Sequence, residues 1–204
     1  AGYPDCEALL IVEVEGSALE IEEQLDKILD IAKTHNPVEL RRASDAAEAG
    51  RIWLGRKSAF GAMGQINDYM CLDGTIPVSQ LPYVLRRISE LSAEFGLDVG
   101  NVFHAGDGNM HPLILYNANK EGDLEKCEAF GAEILKLCVE VGGCLTGEHG
   151  VGIEKRDLMS VQFSALDLEA QMQIKDVFDP KWLLNAAKVF PLDATQSRRD
   201  GCPK

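Results

Sequence analysis

No apolar run in this chain of 204 residues approaches the roughly 20 residues that a bilayer-spanning helix needs, so no membrane span is expected. No basic, apolar, small-residue leader pattern opens the chain either, which argues against a signal peptide. Positive charge is scarce: 20 Lys and Arg face 33 Asp and Glu, a formal net charge of -13. That balance disfavours a nucleic-acid partner, because affinity there comes from neutralising phosphates along a groove. An anionic membrane surface is disfavoured for the same reason. A small anionic substrate would need a local basic pocket set against the overall field. The six cysteines, Cys6, Cys71, Cys127, Cys138, Cys144 and Cys202, form no C-x-x-C pair. A structural zinc ribbon is therefore not expected, and the thiols read as reduced, as in a cytoplasmic protein. Also missing are a strand followed by G-x-G-x-x-G and a helix, and any G-x-x-x-x-G-K-[ST] loop. A dinucleotide or nucleoside triphosphate site is not supported.

What is present reads as an ordinary globular chain, 46% hydrophobic and 26% charged, long enough for one sizeable core or two small domains. It opens at Ala1 without a methionine and runs straight into a strand-like segment, as an excised fragment or a processed terminus would. Residues 8–15 are β-rich and end at Gly16. Ser17 then caps a helix, with Glu20 completing a capping box and Ile21, Leu25, Ile28, Leu29 and Ala32 as its apolar stripe. Asn36-Pro37 closes it, and residues 38–42 suggest a second strand. Further helices are expected from Ser44 to about Met63, from Ser79 to Gly96, from Leu124 to Val141 and from Leu166 to Phe178. Short strands are expected at 69–72, 99–103 and 112–116. The predicted fold class is α+β, an antiparallel sheet with helices packed on one face. Residues 1–192 are expected to form one domain, and 193–204 a polar tail.

Two clusters carry candidate chemistry. His104 and His111 flank Gly106-Asp107-Gly108-Asn109, which is turn chemistry. On one unbroken strand, side chains seven residues apart face opposite ways; a reversal would bring both imidazoles to one face. Converging imidazoles start a metal site, whereas the plainer reading is a tight turn flanked by half-buried histidines. Asp107 reads as a turn residue rather than a ligand. The second cluster is Glu148-His149, set among Gly147, Gly150 and Gly152. It would supply the carboxylate for a site with two histidines and one acid, or else is a surface loop. His35 receives no role. Arg56 shares a helix face with Ile52 and Phe60; such an arginine snorkels to water or meets an anion in a cleft.

Residues 104–112 (HAGDGNMHP), 142–152 (GGCLTGEHGVG) and 178–191 (FDPKWLLNAAKVFP) together resemble the C-terminal domain of FAD-linked oxidases, two-domain flavoproteins of the vanillyl-alcohol-oxidase type. Trp53 to Met63 and Asp73-Gly74-Thr75-Ile76-Pro77 resemble the branch acting on glycolate and related 2-hydroxy acids. The similarity spans nearly the whole chain. It implies a ferredoxin-like cap domain that covers the flavin and binds substrate, with the FAD held mainly by a separate N-terminal domain.

By the same resemblance His104, His111 and Glu148 would hold a divalent metal (zinc, manganese or iron) and His149 would be the base. Arg56 and Asn109 would bind substrate, and Asn185 would lie close to the flavin. The implied substrate is a small 2-hydroxy acid of the glycolate or D-lactate type. The implied partners are the chain's own FAD domain and subunits carrying flavin and iron–sulfur clusters, and a homodimer is compatible. One departure stands out. A family signature L-N-P-G-K reads Leu184-Asn185-Ala186-Ala187-Lys188 here, so its proline-glycine turn is lost. No extra lysine lies near Tyr69, as in some 2-hydroxyglutarate-acting relatives, which leans towards a smaller substrate. The rival readings are a stand-alone metal hydrolase using the same His/His/Glu site, and an interaction module with a structural metal.

Overall fold

The computed structural model describes residues 2–195; of the expected polar tail, residues 196–204 lie outside the described residues. The chain divides into two compact units, Ala1–Ser58 and Ala59–Lys204.

The first unit is built on helix α1 (Ala18–Lys33) and most of α2 (Ala46–Met63). The expected capping box is present: Ser17 Oγ accepts from Glu20 N, and the Glu20 carboxylate accepts from Ser17 N. The stripe Ile21, Leu25, Ile28, Leu29 and Ala32 is the half-buried face of α1, while Leu19 and Ile31 are exposed. Residues 8–15 and 38–42 are not strands. Leu9, Leu10, Val12, Val38 and Leu40 stay exposed there. A strand needs a neighbour to take its backbone hydrogen bonds, and β-rich composition alone does not provide one.

The second unit is an α+β core. Strand β1 (Asp68–Cys71) pairs antiparallel with β5 (Pro112–Tyr116), Met70 lying opposite Ile114. On the other edge of β5 lies β3 (Val99–Asn101), also antiparallel, giving the order β1-β5-β3. Helix α3 (Leu81–Phe95) joins β1 to β3, and α4 (Asp123–Glu140) follows β5. This connectivity is the split β-α-β of ferredoxin-like folds. A two-stranded ladder, β2 (Gly74–Thr75) with β4 (Asn109–Met110), continues from the end of β1. The last helices among the described residues are α5 (Met159–Gln162) and α6 (Ala165–Phe178), the latter opened by a capping box between Ser164 and Asp167.

Helices α3 and α4 bury apolar residues at helical spacing. Val84, Ile88 and Leu91 of α3 meet Phe130, Ile134 and Cys138 of α4 and Met110 and Ile114 of the strands in one cluster. Each such side chain contributes about 1.5–3 kcal/mol on leaving water. Phe95 stacks on Phe130 with ring centroids 5.3 Å apart. Gly96 ends α3 in the left-handed conformation at φ 56°, as its position predicts. Among the described residues, no helix is long and apolar enough to cross a membrane.

Candidate functional site

The site is built from two turns, both fastened to the stretch from Cys71 to Ile76. In the first, His104 N donates to Asn109 O at 3.1 Å and Asp107 N to His104 O at 3.2 Å, which closes the reversal. Gly108 sits at φ 70°, and its carbonyl accepts from Ile76 N at 2.9 Å. A Cβ there would lie 2.1 Å from Ile76 O, so the position needs glycine. The reversal brings the rings of His104 and His111 edge to face, 5.8 Å between centroids. His111 is 5% exposed, whereas His104 remains exposed.

The second turn follows α4. Cys144 and Thr75 exchange backbone hydrogen bonds of 2.9 and 3.0 Å, and Gly147 N donates to Asp73 O at 2.9 Å. Residues 144–147 therefore lie like an added strand along 73–75. The approach is close: a Cβ on Gly147 would stand 2.8 Å from Thr75 Cγ2 and 2.9 Å from Asn109 Oδ1.

Asp73, fully buried, holds this turn through its side chain as well. Its carboxylate accepts from Thr146 Oγ1 at 2.6 Å, Gly147 N at 3.1 Å, Glu148 N at 3.0 Å, His149 N at 2.8 Å and Lys155 Nζ at 3.1 Å. Burial alone raises a carboxyl pKa, but here the donors led by Thr146, His149, Glu148 and Lys155 outweigh it and hold Asp73 far below its ordinary range.

The outcome is a cluster in which one donor atom from each of Asp73, His111, Glu148 and His149 lies within 4.8 Å of the others. The His111 and His149 rings are 5.1 Å apart, and His111 Nε2 is 3.9 Å from Glu148 Oε2. His111 Nδ1 faces Cys71 Sγ at 3.9 Å, while Nε2 is buried with no hydrogen-bond partner among the described residues. Burial first, then the neighbouring His149, push the His111 pKa down, against the opposing pull of Asp73 and Glu148. A neutral imidazole with a buried, unshared lone pair is what a metal takes from histidine. Zinc holds nitrogen and oxygen at about 2.0–2.2 Å, so two of its ligand atoms stand about 3–4 Å apart, and the His111–Glu148 pair fits. Asp73 fits less well as a ligand, since its two oxygens are already taken by five donor groups.

Of the residues singled out in the sequence, the fold brings His111, Glu148 and His149 together. His104 lies outside the tight set, edge-on to His111. Asn109 is buried, and its Oδ1 likewise has no hydrogen-bond partner among the described residues. Arg56 belongs to the first unit, half-buried on α2. Asn185 is exposed in the turn after α6, in the left-handed region at φ 48°. Sequence reasoning missed the roles of Asp73, Thr146, Lys155 and Cys71. Asp73 had one sign only, an acid following an apolar strand end and preceding glycine. Cys6, Cys71, Cys127, Cys138 and Cys144 are free thiols, and Cys202 lies outside the described residues.

Residues 1–189 match the family model described as FAD linked oxidases, C-terminal domain. The chain is 48% identical over 193 residues to glycolate oxidase subunit GlcD of Escherichia coli, covering 94% of this chain and 39% of that protein. It is 31% identical over 195 residues to glycolate oxidase subunit GlcD of Bacillus subtilis, 95% of this chain and 42% of that one. Further out, it is 26% identical over 193 residues to a probable mitochondrial D-lactate dehydrogenase of Danio rerio, with shares of 93% and 39%. The chain spans about two fifths of the length of these curated relatives. It belongs to the C-terminal domain family of FAD-linked oxidases.

Proposed function

We propose that this chain is the substrate-binding half of a flavin-dependent oxidoreductase that oxidises a small 2-hydroxy acid, glycolate or D-lactate, to the 2-oxo acid. The observation that carries the reading is the buried, unpartnered Nε2 of His111, 3.9 Å from Glu148 Oε2, with the His149 ring alongside. In this reading His111 and Glu148, with His104 from the same hairpin, hold a divalent cation such as zinc, manganese or iron. His149, exposed at the edge of the cluster, takes the proton from the 2-hydroxyl. Arg56 binds the substrate carboxylate and Asn109 orients the substrate. As the hydroxyl becomes a carbonyl, the α-hydrogen leaves with its electron pair. When bound, the cation supplies Lewis acidity and the flavin a hydride acceptor.

The similarity to GlcD, a glycolate oxidase subunit of which this chain spans 39%, supports an N-terminal FAD-binding domain in the same protein and further subunits. In this reading Asn185 lies near the flavin, and the partner subunits carry flavin and iron–sulfur clusters. The free thiols fit a cytoplasmic setting. The test is turnover of glycolate and D-lactate by the full-length protein, with metal analysis in parallel. His149→Ala is expected to lower kcat by at least about 100-fold with metal content unchanged. Unchanged turnover removes His149 from the mechanism. Metal-dependent ester hydrolysis without flavin reduction would replace the reading with that of a hydrolase.

A further inference from the structure

Glu148 and His149 are exposed side chains on a glycine-bounded loop, yet the proposed chemistry needs both at fixed positions. Their backbone shows how that is achieved. The N–H groups of the consecutive residues Gly147, Glu148 and His149 all donate to the Asp73 carboxylate, at 3.1, 3.0 and 2.8 Å. Three successive amides converging on one anion form a nest of the kind that usually takes a phosphate or another external anion. Here an internal carboxylate fills it. Thr146 Oγ1 closes the nest at 2.6 Å, and Lys155 Nζ bridges Asp73 and Thr146 at 3.1 Å each. Gly147 is pressed against Thr75 and Asn109, where a Cβ would stand 2.8 and 2.9 Å from their side chains, so the loop lies close against both.

We propose that Asp73 is the positioning residue of this site: its carboxylate, with Thr146 and Lys155, holds the backbone of Glu148 and His149 in register with His111. The inference rests on the reading of Glu148 and His149 as ligand and base, and adds the group that places them. His111 stands on the other turn. Loss of Asp73 therefore releases two of the three groups together and leaves His111 where it is.

The test uses the full-length protein, with zinc as the probe ion and hydrogen exchange at the amides of residues 147–149 as a second readout. Thr146→Val removes one donor to Asp73, and Thr146→Ser restores it. Thr146→Val is expected to weaken zinc binding about tenfold and Asp73→Asn about 100-fold, with Thr146→Ser close to the parent. In both weakened variants amide protection at 147–149 falls while that of β5 is kept. Parent-like zinc affinity and parent-like protection at 147–149, in variants whose β5 amides remain protected, overturn the proposal. If the parent takes no zinc, the metal reading fails on its own. The exchange data then decide positioning: lost protection at 147–149 supports it, and unchanged protection overturns it. If Asp73→Asn does not fold, the contrast between Thr146→Val and Thr146→Ser decides in the same way.

Discussion

Lys155 Nζ stands 3.1 Å from Asp73 Oδ2, with the two side chains 5% and 0% exposed, so the ion pair is enclosed by protein. Such a pair is weak evidence for net stability, because desolvation offsets much of the attraction, but removing one partner strands a buried charge. Lys155→Met is expected to cost about 3–5 kcal/mol in urea unfolding. Adding Asp73→Asn should recover part of that loss. Losses that simply add would show that the two charges act separately.

The same carboxylate is expected to add to the loss of stability in acid. Asp73 has a folded-state pKa below its ordinary 3.8, so near and below that value the unfolded chain binds the proton and the folded one does not. Its contribution is whole above the unfolded value and declines as pH falls through that value towards the folded one. Asp73→Asn should lower stability at neutral pH and flatten the fall below about pH 4, measured by denaturant titration across pH. An acid slope equal to the parent's would assign acid sensitivity to other carboxylates.

The histidine hairpin depends on one glycine. At Gly108 a methyl group meets Ile76 O at 2.1 Å on a backbone with φ 70°, whereas at Gly106 it meets nothing within 4 Å among the described residues. Gly108→Ala is expected to cost more than about 2 kcal/mol, several degrees of Tm for a chain of this size. Gly106→Ala should stay close to the parent. Equal Tm values for the two would place the constraint elsewhere.

The lost proline-glycine turn leaves a mark. Ala187 occupies the family's glycine position at φ 59°, and its carbonyl is held by Arg156 Nη1 at 2.8 Å. An L side chain there costs about 1–2 kcal/mol, partly balanced by the extra freedom glycine has when unfolded. Ala187→Gly should therefore raise stability by about 0.5–1 kcal/mol, read from the urea midpoint. A lower midpoint would mean that the alanine methyl makes a contact worth more than the strain.

Local signals proved the readable ones. The stripe of α1, the left-handed Gly96 and the reversal between His104 and His111 follow from spacing and turn chemistry within a few residues. Residues 8–15 and 38–42 have strand composition but no ladder, because pairing is not a property of one segment. In the cluster, residue types named His111, Glu148 and His149. The anchor stayed hidden because the donors to Asp73 lie 73 to 82 residues further along the chain. Nothing near Asp73 in sequence signals that five groups will surround it.

Both turns of the cluster hang from a single six-residue span. Cys71 faces His111, Asp73 and Thr75 seat residues 144–149, and Ile76 N donates to the Gly108 carbonyl. That span behaves as a shared hinge pin. An insertion or deletion of even one residue inside it would throw both turns out of alignment at once, and no adjustment of either turn alone would restore the match. Length variation should therefore be tolerated outside this span and fatal within it.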